Sequence, residues 1–232
     1  MKKLILRVIF VVLAIIAIIA IYFYGCGKTL YNKKIEQIGL KEKVTQIQAS
    51  ENYTKLDQVP KDYLDAIIAV EDHRYYEHGP VDYIALARAT FRNVKEKDLV
   101  EGGSTITQQV AKNLYFIQDG DGIDRKVAEI IMAQQLEKEY SKEQILELYI
   151  NIIYFGDGYY CVKDAAKGYF GKQPIDMNLD ECTMLAGIPN APSAYAPTIN
   201  PELAKKRQEK VINSMIEYGY LTQEQADKIL QH

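Results

Sequence analysis

Cysteine and histidine are scarce in this chain, and that scarcity excludes several kinds of site. The 232 residues include three cysteines at wide spacing, which fits neither a disulfide framework nor a CxxC metal site. The three histidines occur without an HExxH sequence and form no recognisable metal set. The formal net charge is −3, which argues against a general nucleic-acid binder.

Sequence motifs of several enzyme classes are absent as well. No serine is followed three residues later by a lysine, so the acylated serine of the penicillin-binding transpeptidases is missing. The chain has neither the GxxxxGK[ST] phosphate loop nor the GxSxG elbow of the α/β-hydrolases. Acid–base chemistry by carboxylates is therefore the first chemistry to look for.

The first 24 residues contain no acidic side chain and carry a long apolar run. Residues 8–24 read VIFVVLAIIAIIAIYFY, 17 residues without a charge, which is long enough to span a bilayer together with the leucines before them. A cleaved signal peptide is the alternative, but the run is long and no small-x-small cleavage site follows it. The basic residues before the run slightly favour an amino terminus inside the cell, with everything after residue 25 outside.

The rest of the chain is predicted to be one mostly α-helical domain, because the apolar spacing is mostly helical and no strand signal is strong. We expect a cytoplasmic amino terminus at 1–7, a transmembrane anchor at 8–24, a stalk or short extended entry segment at 25–54 and the domain at 55–232. Side chains able to cap helices stand at the predicted starts: Asp82, Ser104, Ser141, Asn178 or Asp180, Asn200 and Thr222. The apolar residues of the helix after Asp82 either pack in the core or dip into the bilayer.

Residues 71–82 read EDHRYYEHGPVD and follow an apolar helix that ends near Glu71. A carboxylate at the C-terminus of a helix opposes the helix dipole, and that environment suits a group that takes or gives a proton. Acid-rich helix ends are usually solvated surface, and for this segment alone that interpretation stays open.

Residues 102–113 read GGSTITQQVAKN, with two glycines leading into a helix. Thr105, Gln108, Gln109 and Lys112 are spaced so that all four lie on one helix face. The free N–H groups of a first turn, two amides and a lysine can together bind an anion such as a sugar phosphate. An ordinary capped amphipathic helix shows the same pattern, so both interpretations stay open.

Residues 125–129 read RKVAE and place Arg125 and Glu129 one helical turn apart. The functional interpretation is a second carboxylate beside a guanidinium that can bind phosphate with two hydrogen bonds. The alternative is a surface ion pair, which stabilises a helix by only about 0.2–0.5 kcal/mol.

Taken together, these clusters resemble the peptidoglycan glycosyltransferases (glycosyltransferase family 51) in their monofunctional biosynthetic transglycosylase form. The motifs of that family occur in order over about residues 55–220, as EDHRYYEHGP, GGSTITQQ, RKVAE, YFGDGYYC and LAGIPNAPSAYAP. The resemblance implies a lysozyme-like helical fold that polymerises lipid II by inverting transfer, with undecaprenyl pyrophosphate as the leaving group. It also implies an enzyme of cell wall synthesis, anchored in the bacterial cytoplasmic membrane with an extracellular or periplasmic domain.

The resemblance further implies roles for single residues. Glu71 would be the general base, and Glu129 would be the second essential carboxylate, near the leaving group. Lys112 and Arg125 would hold the pyrophosphate. The other substrate-binding residues would be Ser104, Thr105, Gln108 and Gln109 in the donor site, and Asp72 and His78 around the base.

The sequence requires no cofactor and shows no closed metal site, and a divalent cation, Mg²⁺ or Mn²⁺, at the pyrophosphate stays open. The implied partners are lipid II and the growing glycan strand, together with transpeptidases and proteins of division or elongation. Two other classes stay open. A lytic muramidase would shorten glycan strands and would need no pyrophosphate site, and a non-catalytic scaffold would tolerate Glu71→Gln.

Three positions depart from the motifs of the family. Tyr75 stands where phenylalanine is usual, Pro80 stands two residues after His78 where glycine is usual, and Cys161 replaces another usual glycine. None of the three removes a carboxylate or a cation of the motifs, so an active enzyme is expected.

Overall fold

The structure, a computed structural model, describes residues 2–96 and 103–230, and over residues 90–96 it describes the backbone alone. The α-helices of these ranges are α1 (Lys2–Gln37), α2 (Leu40–Gln48), α3 (Lys61–Glu71), α4 (Tyr83–Glu96), α5 (Ile106–Ala111), α6 (Ile123–Glu139), α7 (Lys142–Ile152), α8 (Val162–Phe170), α9 (Leu179–Gly187), α10 (Pro192–Tyr195), α11 (Pro201–Glu217) and α12 (Gln223–Leu230). The described residues contain no strand, and the predicted mainly α fold class is confirmed.

The amino-terminal helix is long and apolar enough to cross a membrane by its length and composition. Residues 25–54 are not extended, because α1 continues to Gln37 and α2 buries Leu40 and Val44, while their assignment as a stalk or entry segment stays a prediction. The few apolar side chains in this polar stretch lie on the side that faces the domain, and they pack against the core: Leu30, Tyr31, Ile35 and Ile38. The limits of the domain stay a prediction.

Helix α4 begins where its capping residue predicts. The carboxylate of Asp82 accepts hydrogen bonds from the backbone N–H groups of Ile84 and Ala85, at 2.9 and 3.0 Å. Three apolar side chains at the start of this helix are exposed, with 75% of Tyr83, 63% of Ile84 and 45% of Leu86 accessible. The core interpretation is therefore wrong for these three residues.

Helix α5 begins one residue later than predicted, and Thr105 rather than Ser104 is its cap. The Thr105 hydroxyl accepts from the N–H of Gln108 at 3.1 Å and donates to the carbonyl of Pro80 at 2.9 Å. The Ser104 hydroxyl instead accepts a hydrogen bond from the Lys126 ammonium, at 2.8 Å. The extended backbone at Thr105 (φ −72°, ψ 161°) is the geometry of a helix cap, which leaves Ser104 outside the helix.

The core joins two groups of helices. Helices α3, α9 and α11 pack against one another, and α5 packs against both α6 and α7. The N–H of Ile106 at the start of α5 donates to the carboxylate of Asp72, just past the end of α3, at 3.0 Å. This hydrogen bond joins the two groups at the point where the functional side chains gather.

Candidate active site

One cleft of about 1130 Å³ collects most of the side chains that the motifs point to. The predicted residues that line it are Glu71, Asp72, Ser104, Thr105, Gln108, Gln109, Lys112 and Glu129. His78 and Arg125 do not line it, and each instead contacts a carboxylate that does. The structure therefore brings the three sequence clusters together around one space, while their roles stay predictions.

The carboxylate of Glu71 is held by two side chains from distant elements. Its Oε2 accepts a hydrogen bond from Nε2 of Gln109 at 2.8 Å, and its Oε1 lies 3.3 Å from Nη2 of Arg207. Only 10% of the Glu71 side chain and 12% of the Arg207 side chain are exposed. An ionised carboxylate with one amide and one guanidinium partner has a fixed direction and keeps lone pairs free to accept a proton.

Tyr149 lies beneath this carboxylate and is itself buried. Burial first, and then the charge of Glu71, raise the pKa of Tyr149 well above its ordinary value. Among the described residues no hydrogen-bond partner reaches its hydroxyl. The phenol therefore stays neutral and supports the Glu71 side of the cleft as part of the apolar core.

The loop after Glu71 is closed by two acid–base pairs. Nε2 of His78 lies 2.6 Å from Oδ1 of Asp72, and Nδ1 of His78 lies 2.5 Å from the carbonyl oxygen of Gly79. Burial alone would lower the pKa of His78, but its hydrogen bonds to Asp72 and to Gly79 outweigh burial and raise it. Arg74 completes the loop with two hydrogen bonds to Asp82, at 2.6 and 3.1 Å.

The departures from the family motifs fit into this arrangement. Pro80 leaves the contact between His78 and Asp72 intact, and its carbonyl ties the loop to Thr105. The Tyr75 ring is fully buried, and its hydroxyl donates to the carbonyl of Lys142 at 2.8 Å. Cys161 is buried at the residue before α8.

A second carboxylate, that of Glu129, faces the cleft from α6 and is neutralised by two cations. Its Oε1 accepts a hydrogen bond from Arg125, and its Oε2 lies 3.3 Å from Nζ of Lys126. Glu129 is 2% exposed, so this is not the solvated surface pair that the spacing alone allows. Arg125 also donates to Asp121 at 2.7 Å, and its guanidinium is therefore occupied by two carboxylates.

Lys126 is a site residue that the motifs did not single out. Its ammonium lines the cleft and donates to the Ser104 hydroxyl at 2.8 Å and to Oε1 of Gln108 at 3.0 Å. Burial lowers its pKa, Glu129 opposes that shift, and the charges of Arg125 and Lys112 add to it. Its place beside Arg125 in RKVAE was the only available signal, since the direction of its side chain depends on how α6 is rotated.

Lys112 supplies a second ammonium near Lys126. The chain changes from the α-helix of α5 to a π-helical turn at this residue, over Lys112–Phe116. Such turns widen a helix locally and are frequent at functional sites. Lys112 is exposed within the cleft, and the two ammonium groups together make this part of the cleft positive.

Arg207 was also missed, because it lies in the helix after Asn200, outside every motif that the sequence analysis singled out. The guanidinium of Arg207 donates through Nε to the carbonyl of Gly187 at 3.2 Å and reaches Glu71 with Nη2. On the same side of the cleft the rings of His73 and Tyr218 stack at 4.0 Å, and burial lowers the pKa of His73. None of these pairings has a local sequence signal, since packing of α11 against α3 creates them.

Three side chains near the Glu71 loop could act as metal ligands. The candidate ligand atoms of Asp72, His78 and Asp82 lie within 4.8 Å of one another. Protein donors already occupy this set, because Arg74 and two backbone N–H groups bind Asp82 while Ile106 and His78 bind Asp72. The arrangement therefore fits a hydrogen-bonded loop better than a metal centre.

Comparison with known proteins agrees with the motifs. The Transglycosylase family matches residues 39–216, which is more than half of the chain. Penicillin-binding protein 1A of Neisseria flavescens is 47% identical over 179 residues, which cover 77% of this chain and 22% of that protein. A protein of Cupriavidus necator that is named as a transglycosylase is 40% identical over 187 residues, covering 81% of this chain and 80% of that protein.

Two further relatives extend the comparison. Penicillin-binding protein 1A of Aquifex aeolicus is 33% identical over 240 residues, covering 98% of this chain and 33% of that protein. The crystal structure of penicillin-binding protein 1A from Haemophilus influenzae aligns with a TM-score of 0.47 at 23% identity, over 78% of this chain and 17% of that one. This chain thus spans about a fifth to a third of the length of its two penicillin-binding relatives in sequence. The chain belongs to the transglycosylase family, the peptidoglycan glycosyltransferases of family 51.

Proposed function

We propose that this protein polymerises lipid II into glycan strands by inverting transfer and releases undecaprenyl pyrophosphate. The observation that carries the proposal is the set of charged groups in one cleft. The half-buried carboxylate of Glu71 is held by Gln109 and Arg207, and the two ammonium groups of Lys112 and Lys126 line the same cleft. A reaction between a neutral alcohol and a sugar pyrophosphate needs one base and a cationic site for the departing charge.

Glu71 acts on the acceptor. Its carboxylate takes the proton from the 4-hydroxyl of the incoming lipid II while that oxygen forms a bond with the anomeric carbon of the growing strand. The bond between this carbon and the pyrophosphate oxygen breaks, and the configuration inverts. Gln109 and Arg207 keep the carboxylate in one orientation, which supports the proton transfer.

Lys112 and Lys126 act on the leaving group. The pyrophosphate departs with its own negative charge, so cations rather than a proton donor stabilise it. The resemblance assigned this role to Lys112 and Arg125, but Arg125 does not line the cleft and its guanidinium is bound by Glu129 and Asp121. Lys126 therefore takes the direct contact in our scheme, and Arg125 acts by holding Glu129.

The scheme requires no cofactor. A divalent cation at the pyrophosphate, Mg²⁺ or Mn²⁺, would draw on Glu129, whose charge Arg125 and Lys126 already balance. This balance favours a mechanism in which the two lysines replace the ion.

The substrate also accounts for the anchor. A lipid-linked substrate is confined to the bilayer, and α1 would hold the domain on the same surface with its amino terminus inside the cell. The exposed apolar side chains at the start of α4 would then meet the lipid. Transpeptidases and proteins of division or elongation are the partners we propose, as the resemblance to the family implies.

The test is an incubation of the detergent-solubilised full chain with labelled lipid II, with the products separated by size. Long strands with release of the lipid pyrophosphate support the proposal. Shortening of preformed glycan strands without any polymer would indicate a lytic muramidase. A folded protein that does neither would indicate a scaffold.

A further inference from the structure

The second part of α1 lies against α6, the helix that carries Lys126 and Glu129. We call the contact between the two helices the seam, and Gly27 is the buried residue of α1 within it. A Cβ atom built on Gly27 would lie 2.5 Å from Cγ1 of Val127 and 2.8 Å from the carbonyl oxygen of Asp124. Ordinary carbon–carbon contacts are about 3.5–4.0 Å, so the two helices approach as closely as they do only because residue 27 has no side chain.

Polar contacts extend the seam along α1 towards its end. The hydroxyl of Tyr31 donates to the side-chain amide of Gln135 on α6, and Lys34 forms an ion pair with Asp119 at 2.7 Å. Positions 27, 31 and 34 are spaced four and three residues apart, so they form one stripe on one face of α1. About 18% of the Lys34 side chain and 20% of the Asp119 side chain are exposed, so this pair is largely shielded from water.

The seam lies on the reverse side of α6 from the cleft. Val127 and Glu129 are two residues apart, which places them about 200° apart around a helix. Val127 meets α1, whereas Glu129 and Lys126 face the cleft. A change in the distance between α1 and α6 therefore moves the cleft-facing carboxylate and ammonium group along with the helix.

We propose that Gly27 is a positioning residue for the transfer reaction. Through the close contact at Gly27, α1 fixes the position of α6 relative to the cleft, in addition to serving as a membrane anchor. The inference rests on the proposed function for its activity readout, but not for its structural one. A displacement of about 1 Å in a reacting constellation can reduce a rate a hundredfold. The contact at Gly27 is tight enough for a single methyl group to impose such a displacement.

The experiment compares Gly27→Ala with Gly25→Ala in the full chain in detergent. A Cβ at Gly25 meets nothing within 4 Å, so this variant makes the same chemical change two residues away on the same helix. Both substitutions raise helix propensity, which removes weakening of α1 as a cause of any loss. We expect Gly27→Ala to lower kcat for lipid II by about tenfold to a hundredfold with KM nearly unchanged. We expect Gly25→Ala to match the wild type.

A rescue variant and a structural readout complete the design. Val127→Gly removes the closest contact of the new methyl group and leaves the one with the Asp124 carbonyl oxygen, so Gly27→Ala should reduce kcat less in that background than in the wild type, with a partial rescue. Hydrogen exchange of the backbone amides of α6 should increase in Gly27→Ala alone. If Gly27→Ala and Gly25→Ala are equal both in kcat and in the hydrogen exchange of α6, the proposed positioning role of Gly27 is overturned. If the wild type makes no polymer, the proposed function fails. The hydrogen-exchange comparison alone then decides whether the contact at Gly27 sets the position of α6.

Discussion

Arg207 of α11 lies 3.3 Å from the Glu71 carboxylate, although 136 residues separate the two in the chain. The pair joins the end of α3 to α11, and both residues line the cleft. It gives the predicted base a cationic partner that no motif near Glu71 contains. Gln109 binds the other carboxylate oxygen, so the direction of the base is set from two sides.

The first prediction concerns this pair. Arg207→Ala should lower kcat about tenfold to a hundredfold, because Glu71 loses one of the two contacts that orient it. Arg207→Lys keeps the positive charge and should recover part of the rate. The measurement is steady-state polymerisation of lipid II for both variants, with unfolding temperatures to show that each is folded. An Arg207→Ala enzyme with the wild-type kcat would show that Arg207 does not orient Glu71 for the reaction.

The second prediction concerns the leaving-group side of the cleft. Lys126→Ala should reduce kcat/KM about a hundredfold to a thousandfold, because the departing pyrophosphate loses a preorganised cation. Lys138→Ala is the matched control, since it removes a lysine from an exposed position of the same helix. We expect this control to retain the wild-type kcat/KM. Equal losses in the two variants would indicate a general effect of charge on α6 and would contradict a direct role for Lys126.

The third prediction concerns pH and His78. The pKa of His78 is raised in the folded protein above its ordinary value of about 6.5. The folded state therefore binds this proton more tightly than the unfolded chain does. The resulting stabilisation is complete below about pH 6.5 and is lost as pH rises through the raised pKa.

The pH dependence of this stabilisation is tested by thermal unfolding of the wild type and of His78→Gln at pH values below and above about 6.5. The difference in stability between the wild type and the variant should shrink as the pH rises above about 6.5. The lowered pKa of His73 gives the opposite dependence, but it is present in both proteins and cancels in the difference. A difference that stays constant or grows with pH would show that the His78–Asp72 contact does not involve a protonated imidazole.

The fourth prediction concerns Tyr75, the tyrosine that stands where the family usually has phenylalanine. Tyr75→Phe removes the hydrogen bond to the Lys142 carbonyl and should reduce the free energy of unfolding by about 1 kcal/mol. Its ring still fills the same buried space, so polymerisation of lipid II should stay at the wild-type rate. Denaturant unfolding measures the first quantity. A large loss of activity without a loss of stability would mean that the hydroxyl has a role in the reaction.

Local sequence patterns predicted much of the fold and part of the site. The end of α3 at Glu71 and the reciprocal capping contacts of Ser141 and Gln144 follow from short-range spacing, and both are confirmed. The patterns could not give Arg207, because only the packing of α11 on α3 brings it to Glu71. Nor could they show that the Arg125 guanidinium is held by Glu129 and Asp121 while Lys126 lines the cleft, because the partners of each side chain depend on the folded structure.

The helical conformation within residues 25–54 was missed for a similar physical reason. A polar segment with few apolar residues is typical of a stalk, but a helix that lies on a domain needs only one stripe of contacts. In α1 that stripe includes Gly27, which makes its contact by having no side chain. A glycine in a polar stretch gives no sequence signal of close packing.

The most direct test of the central claim is polymerisation of lipid II by Glu71→Gln, with strand length and released lipid pyrophosphate both measured. The substitution keeps the size of the side chain and removes its ability to take a proton. Glu209→Gln, an exposed position of α11 outside the cleft, is the matched control. The account predicts full-length strands from the wild type and the control, and no polymer from a folded Glu71→Gln protein. Polymer formation by Glu71→Gln at the wild-type rate would contradict it.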